Sequence, residues 1–235
     1  MDSPDTAVTE EEVRTNFNEF FKKQSQENSA TYNFFMHLRE VGCNCYLFGG
    51  AVRDILFDKS RANPRDLDLV FDEENFSYFE SHFKTKIIRR NRFGGLKLKY
   101  GGVDIDAWKL DKTWAFSENK VSGVSFKNLP KTGFYNLDAI VIQLRPESAA
   151  GRNLFDASFF QGVNKQIIEI ILPDTIYPEL NALRGLKLAN RTKFKLSKST
   201  AYFIHDTLSK NSPKELIEIQ KDHFDEVLFK ERTLT

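Results

Sequence analysis

Between Leu47 and Phe71 the chain carries residue types that could hold a phosphorylated substrate. A short strand-like run ends at Gly49 and Gly50, and a helix-like segment follows. Glycine lets a backbone approach a phosphate closely, and the positive N-terminal end of a helix attracts the anion. Arg53, on the first turn of that helix, adds a permanent positive charge. This segment therefore predicts a site that binds phosphate groups.

Two aspartates, Asp66 and Asp68, stand one residue apart in the next strand-like run. Side chains at positions i and i+2 of a strand point to one face, so both carboxylates face one way while Leu67 and Leu69 face the other. Two carboxylates on one face suit a pair of Mg²⁺ ions about 3.5–4 Å apart. Each motif alone is common, but their succession favours transfer of part of a nucleoside triphosphate.

These two motifs together resemble a known family. The sequences GGAVRD (49–54) and RDLDLV (65–70) are similar to the head domain of class II tRNA nucleotidyltransferases (CCA-adding enzymes) and bacterial poly(A) polymerases, within the DNA polymerase beta-like nucleotidyltransferase superfamily. The resemblance covers roughly residues 40–205. It implies an α+β fold, a mixed-sheet head with flanking N-terminal helices and a C-terminal helical neck.

The resemblance also implies roles for individual residues. Gly49 and Gly50 would form the turn that contacts phosphate, and Arg53 would bind the triphosphate. Asp66 and Asp68 would be catalytic and would hold two Mg²⁺ ions, with the nucleoside triphosphate as substrate. We expect Arg65 to help neutralise the departing phosphates.

A third carboxylate is expected on the strand-like run that follows Gly102. Its flanks resemble the family's third acidic strand, which assigns the catalytic and metal-binding role to Asp104 and a nucleotide-binding role to Lys109. Asp106 shares the face of Asp104, because it lies two residues further along the strand. The choice between Asp104 and Asp106 stays open at this point.

The helix-like run Ala182–Ala189 resembles the family's neck helix, but the base-reading residues before it differ. The family's Asp–Arg pair would fall among Tyr177, Pro178 and Asn181. Losing those charged hydrogen-bonding groups weakens discrimination between bases. We therefore expect loose base choice or stacking on Tyr177, with Asn181 and Arg184 also contacting the nucleotide.

Composition favours a cytoplasmic protein. The 235 residues carry a net charge of +1, so overall charge selects no partner class. No run of 18 apolar residues occurs, which predicts no membrane span, and the acidic start MDSPDTAVTEEE is unlike a signal peptide. Cys43 and Cys45 suit buried core positions better than a zinc site or a disulfide.

The chain divides into three predicted parts: N-terminal helices that pack on the head (1–44), the nucleotidyltransferase head (45–172) and a helical neck and C-terminal region (173–235). Thr9 predicts the start of the first helix, and Gly42 the end of the second. The predicted strands are Tyr46–Phe48, Leu67–Phe71, Lys86–Arg90, Leu96–Tyr100, Val103–Leu110, Leu137–Leu144 and Ile167–Ile171. The predicted C-terminal helices are Pro178–Asn190, Ser199–Lys210 and Pro213–Lys230.

Two basic runs bear on the acceptor. Residues 84–99 carry seven lysines or arginines and 184–198 carry six, with no acid in either run. Local positive charge in a nearly neutral chain indicates a polyanion such as RNA, and tRNA is the family's usual acceptor. A protein or small-molecule acceptor and a non-catalytic binding module are the alternatives. The sequence does not determine the preferred nucleotide or the oligomeric state.

Overall fold

The structure is a computed structural model that describes residues 7–57, 64, 66–145, 151–224 and 227–230. Its main strands are β1 (Tyr46–Phe48), β2 (Asp66–Phe71), β3 (Ile87–Arg90), β4 (Leu96–Tyr100), β5 (Val103–Lys109), β6 (Ile140–Gln143) and β7 (Leu154–Asp156). In the described part of the chain they form one seven-stranded sheet in the order β3-β4-β5-β2-β1-β6-β7. Strands β2 and β5 are parallel, and the other neighbours are antiparallel. A separate parallel pair joins β8 (Ile167–Ile168) to β9 (Lys195–Leu196).

The helices are α1 (Glu10–Gln26), α2 (Ala30–Glu40), α3 (Gly50–Phe57), α4 (Glu73–Phe83), α5 (Trp114–Ser117), α6 (Phe159–Lys165), α7 (Pro178–Thr192), α8 (Lys198–Ser209) and α9 (Pro213–His223). Side-chain caps explain several starts, since an N-cap oxygen satisfies a free N–H of the first turn. Thr9 caps α1, as predicted, by accepting from the N–H of Glu12 at 3.3 Å. Ser212 and Glu215 form a full capping box at α9.

The two faces of the sheet bury different partners. Leu47, Leu67 and Ile105 are fully buried on one face, where apolar side chains of α1–α4 complete the main core. Because successive side chains of a strand point to opposite faces, Val70 of β2 lies on the other face. There Val70 packs with Tyr46 and with apolar residues of the segment 110–129. That segment covers one end of this second face, and the aspartates lie towards the other end.

Three predicted elements are shorter than expected. The predicted strand 137–144 begins only at Ile140, because Asn136–Asp138 form a 3₁₀ turn. The Asn136 side chain holds this turn by donating to the carbonyl of Ile167 and accepting from the N–H of Glu169. The predicted strand 167–171 is reduced to β8, and the predicted helix 213–230 ends at His223.

The proposed division at residues 44 and 172 stays a prediction, since side chains of α1, α2 and α7 share the main core with the sheet. No helix among the described residues has the length and apolar character needed to cross a membrane.

Candidate active site

The Gly49–Gly50 turn joins β1 to α3. Gly49 has φ +71°, a left-handed conformation that glycine adopts without the steric cost of a side chain. Its N–H donates to the carbonyl of Ile140 at 2.9 Å, and its carbonyl accepts from the N–H of Val52 and of Arg53. The turn therefore fixes the start of α3 beside the end of β1.

Four aspartates lie on the sheet face opposite the main core. The parallel register of β2 and β5 sets Asp66 directly opposite Asp104 and Asp68 directly opposite Asp106. We call these four residues the carboxylate row. Each is partly buried, while Leu67 and Ile105, which alternate with them, are fully buried on the other face. The prediction that Asp66 and Asp68 share a face is thus confirmed.

The same register brings the row next to the Gly49–Gly50 turn. Strand β1 is antiparallel to β2, with Leu47 opposite Leu69. One step further along this register sets Phe48 opposite Asp68. The turn therefore begins on β1 at Gly49, one residue after the position that lies opposite Asp68.

The expected convergence of three carboxylates on one point is not seen. Within the described residues, no three acidic, histidine or cysteine side chains lie close enough together to hold a metal ion. The register pairs the acids two by two instead, with about 4.8 Å between neighbouring strands and about 6.6 Å between positions i and i+2. Asp106 is beside Asp68, and Asp104 is beside Asp66.

Negative charge in this row is only partly compensated. Burial, and then repulsion from Asp66 and Asp106, raises the pKa of Asp68 to about 8. The positive charge of Arg184 opposes that rise. Burial also raises the pKa of Asp106, with Lys97 acting in the opposite direction. A divalent cation bound to two of these carboxylates at a time would supply positive charge that the row needs.

Strand β4 supplies two lysines to the same face. Lys97 is directly opposite Asp106, and Lys99 is directly opposite Asp104. Both ammonium groups lie 3.9 Å from the carboxylate oxygen that they face, which is the outer limit of an ion pair. Arg89 on β3 is opposite Lys97 and extends the positive charge to the sheet edge.

Arg53 belongs to a second ionic cluster, and Asp66 of the row also acts on its charge. Its Nε and Nη2 contact Asp54 Oδ1 at 2.9 and 2.8 Å, and its Nη1 donates to Asp138. Arg191 Nη1 also contacts Asp54 Oδ1, at 2.8 Å. We call Arg53, Asp54, Asp138 and Arg191 the arginine network. Burial opposes the charge on Arg53, but Asp138 and Asp54 outweigh it and raise the pKa of Arg53.

Helix α7 brings Arg184 within electrostatic reach of the row. Tyr135 donates its hydroxyl proton to the carbonyl of Asn181 at 2.7 Å and so ties α7 to the segment before β6. A Cβ at position 185 would lie 2.3 Å from the Tyr135 hydroxyl, so only glycine allows this approach. Arg184, the residue before Gly185, is exposed, and its positive charge acts to lower the pKa of Asp68.

The remaining predicted nucleotide-binding residues lie in different surroundings. Lys109 is on the face opposite the row, where its Nζ binds Glu73 at 2.8 Å, and the structure does not bring it to the aspartates. Tyr177 precedes α7 and is 52% exposed. The Asn181 side chain is buried and donates to Thr175 Oγ1 at 2.7 Å. Arg65 lies outside the described residues.

Sequence reasoning missed Asp138. It stands in a stretch predicted to be a strand, where aspartate is unfavourable, and that mismatch was the available signal. In the structure it lies in the 3₁₀ turn, contacts Arg53 and adds to the negative potential at Asp68.

No protein-family model and no curated protein matches the chain. Solved structures do match it. A tRNA nucleotidyltransferase complexed with a primer tRNA and an incoming ATP analog is 23% identical, with 82% of this chain and 56% of that one covered and a TM-score of 0.59. The Thermotoga maritima CCA-adding enzyme complexed with tRNA is 20% identical, with 83% and 47% covered and a TM-score of 0.58.

A tRNA-processing enzyme in an apo form is 23% identical, with 80% and 53% covered and a TM-score of 0.57. The chain thus spans about half the length of these proteins. What it shares with them is the fold. Among known folds it is similar to the CCA-adding and tRNA nucleotidyltransferase head, as the motifs predicted.

Proposed function

We propose that the protein is a metal-dependent nucleotidyltransferase that moves a nucleoside monophosphate from a nucleoside triphosphate to an acceptor hydroxyl. The observation that carries this proposal is the carboxylate row in register beside the Gly49–Gly50 turn. A phosphate-binding turn next to closely spaced carboxylates is what a metal-bound triphosphate requires. The fold shared with tRNA nucleotidyltransferases supports the same activity.

We assign the metal-binding role to Asp66, Asp68 and Asp106. Asp106 is preferred over Asp104 because it lies directly opposite Asp68 and adds to the negative potential there. Two Mg²⁺ ions held by these oxygens would activate the acceptor hydroxyl and offset negative charge on the phosphates. The assignment of Asp104 remains the alternative.

The chain's own residues would position and neutralise the substrate. The N–H groups at the start of α3 face the phosphates, and Arg53 offers its guanidinium to the triphosphate. The acceptor oxygen attacks the α-phosphorus and loses its proton to water. The bond from the α-phosphorus to the bridging oxygen of the β-phosphate breaks, and pyrophosphate leaves.

We infer that base selection is weak. The Asn181 amide is already bound to Thr175, so it is not aimed at an incoming base. Tyr177 is exposed enough for a base to stack on its ring, and stacking accepts any base. Strict addition of C and then A would contradict this inference.

RNA, with a tRNA-like 3′ end, is the acceptor that we favour. Lys97, Lys99 and Arg89 extend from the row to the sheet edge and would contact the phosphates of an acceptor strand. Two of the similar solved proteins were crystallised with tRNA. A protein or small-molecule acceptor is the second candidate. It is favoured by the hydrogen bond from Asn181 to Thr175, because an Asn181 side chain bound in this way contributes little to recognition of the base.

The test is transfer of label. The protein is incubated with Mg²⁺ and each labelled nucleoside triphosphate in turn, with purified tRNA, total RNA or cell extract as acceptor. We expect label in RNA that disappears with Asp68→Asn and persists with Asp111→Asn, an exposed aspartate outside the site. Label in protein would support the second candidate. Absence of label in every fraction, with no difference between the two variants, would overturn the proposal.

A further inference from the structure

Arg53 is fully engaged inside the protein before any substrate arrives. Its Nε and Nη2 contact Asp54, and its Nη1 donates to Asp138. The four side chains of the arginine network carry two positive and two negative charges, and Asp66 adds negative potential at Arg53. A triphosphate that approaches Arg53 therefore meets a cation whose charge is already balanced.

The two carboxylates that bind Arg53 differ in how firmly they are held. Asp54 follows Arg53 on α3, accepts from Arg191 as well, and its side chain is 16% exposed. Asp138 belongs to the 3₁₀ turn before β6, contacts Arg53 across 85 residues of sequence, and its side chain is 31% exposed. Asp138 is thus the partner that water, or a phosphate oxygen, can replace.

Asp138 also lies on the path to the phosphate-binding turn. A Cβ built on Gly49 would be 3.5 Å from the carbonyl oxygen of Asp138, so the two backbones are in contact. The Asp138 charge reaches Asp68 as well, where it adds to the negative potential. A negative group in contact with Arg53 and near the row repels the phosphate anion that Arg53 is to bind.

We propose that Asp138 is an internal competitor of the triphosphate: it occupies Arg53 in the free protein and is displaced when the substrate's phosphates take its place. The inference rests on the proposed function, because it gives Arg53 a triphosphate ligand. Asp54 keeps the guanidinium oriented during the exchange, so Asp54 is a positioning residue and Asp138 a regulator of affinity. A competing group lowers the apparent affinity of the triphosphate. The decrease grows with the fraction of molecules in which that group occupies the site.

The test compares the two carboxylates by binding. Calorimetry with Mg²⁺ measures the dissociation constants of an α,β-methylene ATP analogue, which cannot undergo transfer, and of inorganic triphosphate. We expect Asp138→Asn to bind both about three- to tenfold more tightly, because one charge-assisted contact no longer competes. Adenosine affinity should not change. Asp54→Asn should weaken binding of both, and Asp138→Glu, which keeps the charge, should resemble the original protein.

Turnover gives an independent readout. Displacement of Asp138 affects binding of the ground state, so Asp138→Asn should lower KM for the nucleotide and leave kcat unchanged. Asp138→Ser serves as a second neutral variant if the asparagine variant unfolds, and Asp111→Asn controls for overall charge.

The outcomes separate the two proposals. If the original protein binds the analogue and Asp138→Asn binds it equally or less tightly, the competitor role is overturned while nucleotidyl transfer stands. If neither the original protein nor any variant binds the analogue or inorganic triphosphate, and no label is transferred, the proposed function fails and the competitor role fails with it.

Discussion

The arginine network and the carboxylate row both lie near the Gly49–Gly50 turn and differ in how closely their charges are paired. In the network, Asp54 contacts Arg53 and Arg191 at 2.8 Å each, and Arg53 also contacts Asp138. In the row, Lys97 and Lys99 approach Asp106 and Asp104 only to 3.9 Å. The network is closely paired, whereas at Asp68 burial and repulsion between carboxylates outweigh the nearby positive charge.

This difference indicates what each cluster is for. A balanced, partly buried cluster contributes to the fold, and removing one member leaves an unpaired charge. An unbalanced cluster costs folding free energy and is expected where a ligand supplies the missing charge. The raised pKa of Asp68, to about 8, reports that cost. Substitution of one aspartate in each cluster should therefore change stability in opposite directions.

Asp68→Asn should have the largest effect on activity. We expect nucleotidyl transfer to fall by a factor of at least about 10²–10³, because a metal ligand is lost. The melting temperature without metal should rise, since the variant removes a repelled, desolvated carboxylate. Mg²⁺ should raise the melting temperature of the original protein and not that of the variant, because a ligand stabilises only the state that binds it.

Calorimetry and a transfer assay check both halves of this prediction. Asp111→Asn, on an exposed aspartate paired with Lys112, is the matched control and should change neither quantity. A variant that loses stability as well as activity would show that Asp68 is a structural residue.

Asp54→Asn should have the opposite effect on stability. It leaves Arg53 and Arg191 without their shared partner, and we expect the free energy of unfolding to fall by about 2–4 kcal/mol. Urea unfolding measures the change. Asp206→Asn breaks an exposed pair with Lys210 on α8 and should cost less than about 0.5 kcal/mol. Equal losses in the two variants would contradict the structural role of the network.

The sequence predicted those parts of the site that depend on local rules. The shared face of Asp66 and Asp68 follows from the two-residue period of a strand, and the Gly49–Gly50 turn from the conformations open to glycine. The same period applies to Lys109. Lys109 lies five positions after Asp104. Because five is an odd number, its side chain points to the opposite face of the sheet, where it binds Glu73.

The parts that depend on long-range register could not be predicted. Whether Asp104 or Asp106 lies beside Asp68 is decided by the pairing of β2 with β5, some 38 residues apart along the chain. The contact of Arg53 with Asp138 spans 85 residues and requires the 3₁₀ turn that replaced a predicted strand. No local pattern specifies either arrangement.

Gly185→Ala tests whether the close packing of α7 on Tyr135 holds Arg184 near the row. The new Cβ would lie 2.3 Å from the Tyr135 hydroxyl and 2.8 Å from Ile204 Cδ1. We expect the free energy of unfolding to fall by about 1–2 kcal/mol, because overpacking outweighs the better helix propensity of alanine. Asn190→Ala, at an exposed site on α7, should be neutral or stabilising. Unchanged stability in both variants would show that α7 can move away from Tyr135 without cost.

Lys97→Gln should have the smallest effect and decides between the two candidate third carboxylates. Lys97 faces Asp106 and Lys99 faces Asp104, each at 3.9 Å, so each variant is the control for the other. A lysine that neutralises a metal ligand competes with the metal for it. If Asp106 is the ligand, Lys97→Gln should tighten Mg²⁺ binding about two- to threefold, equivalent to about 0.5 kcal/mol, and Lys99→Gln should not. Titration of the melting temperature with Mg²⁺ measures both. The reverse result would assign the third position to Asp104, opposite Asp66.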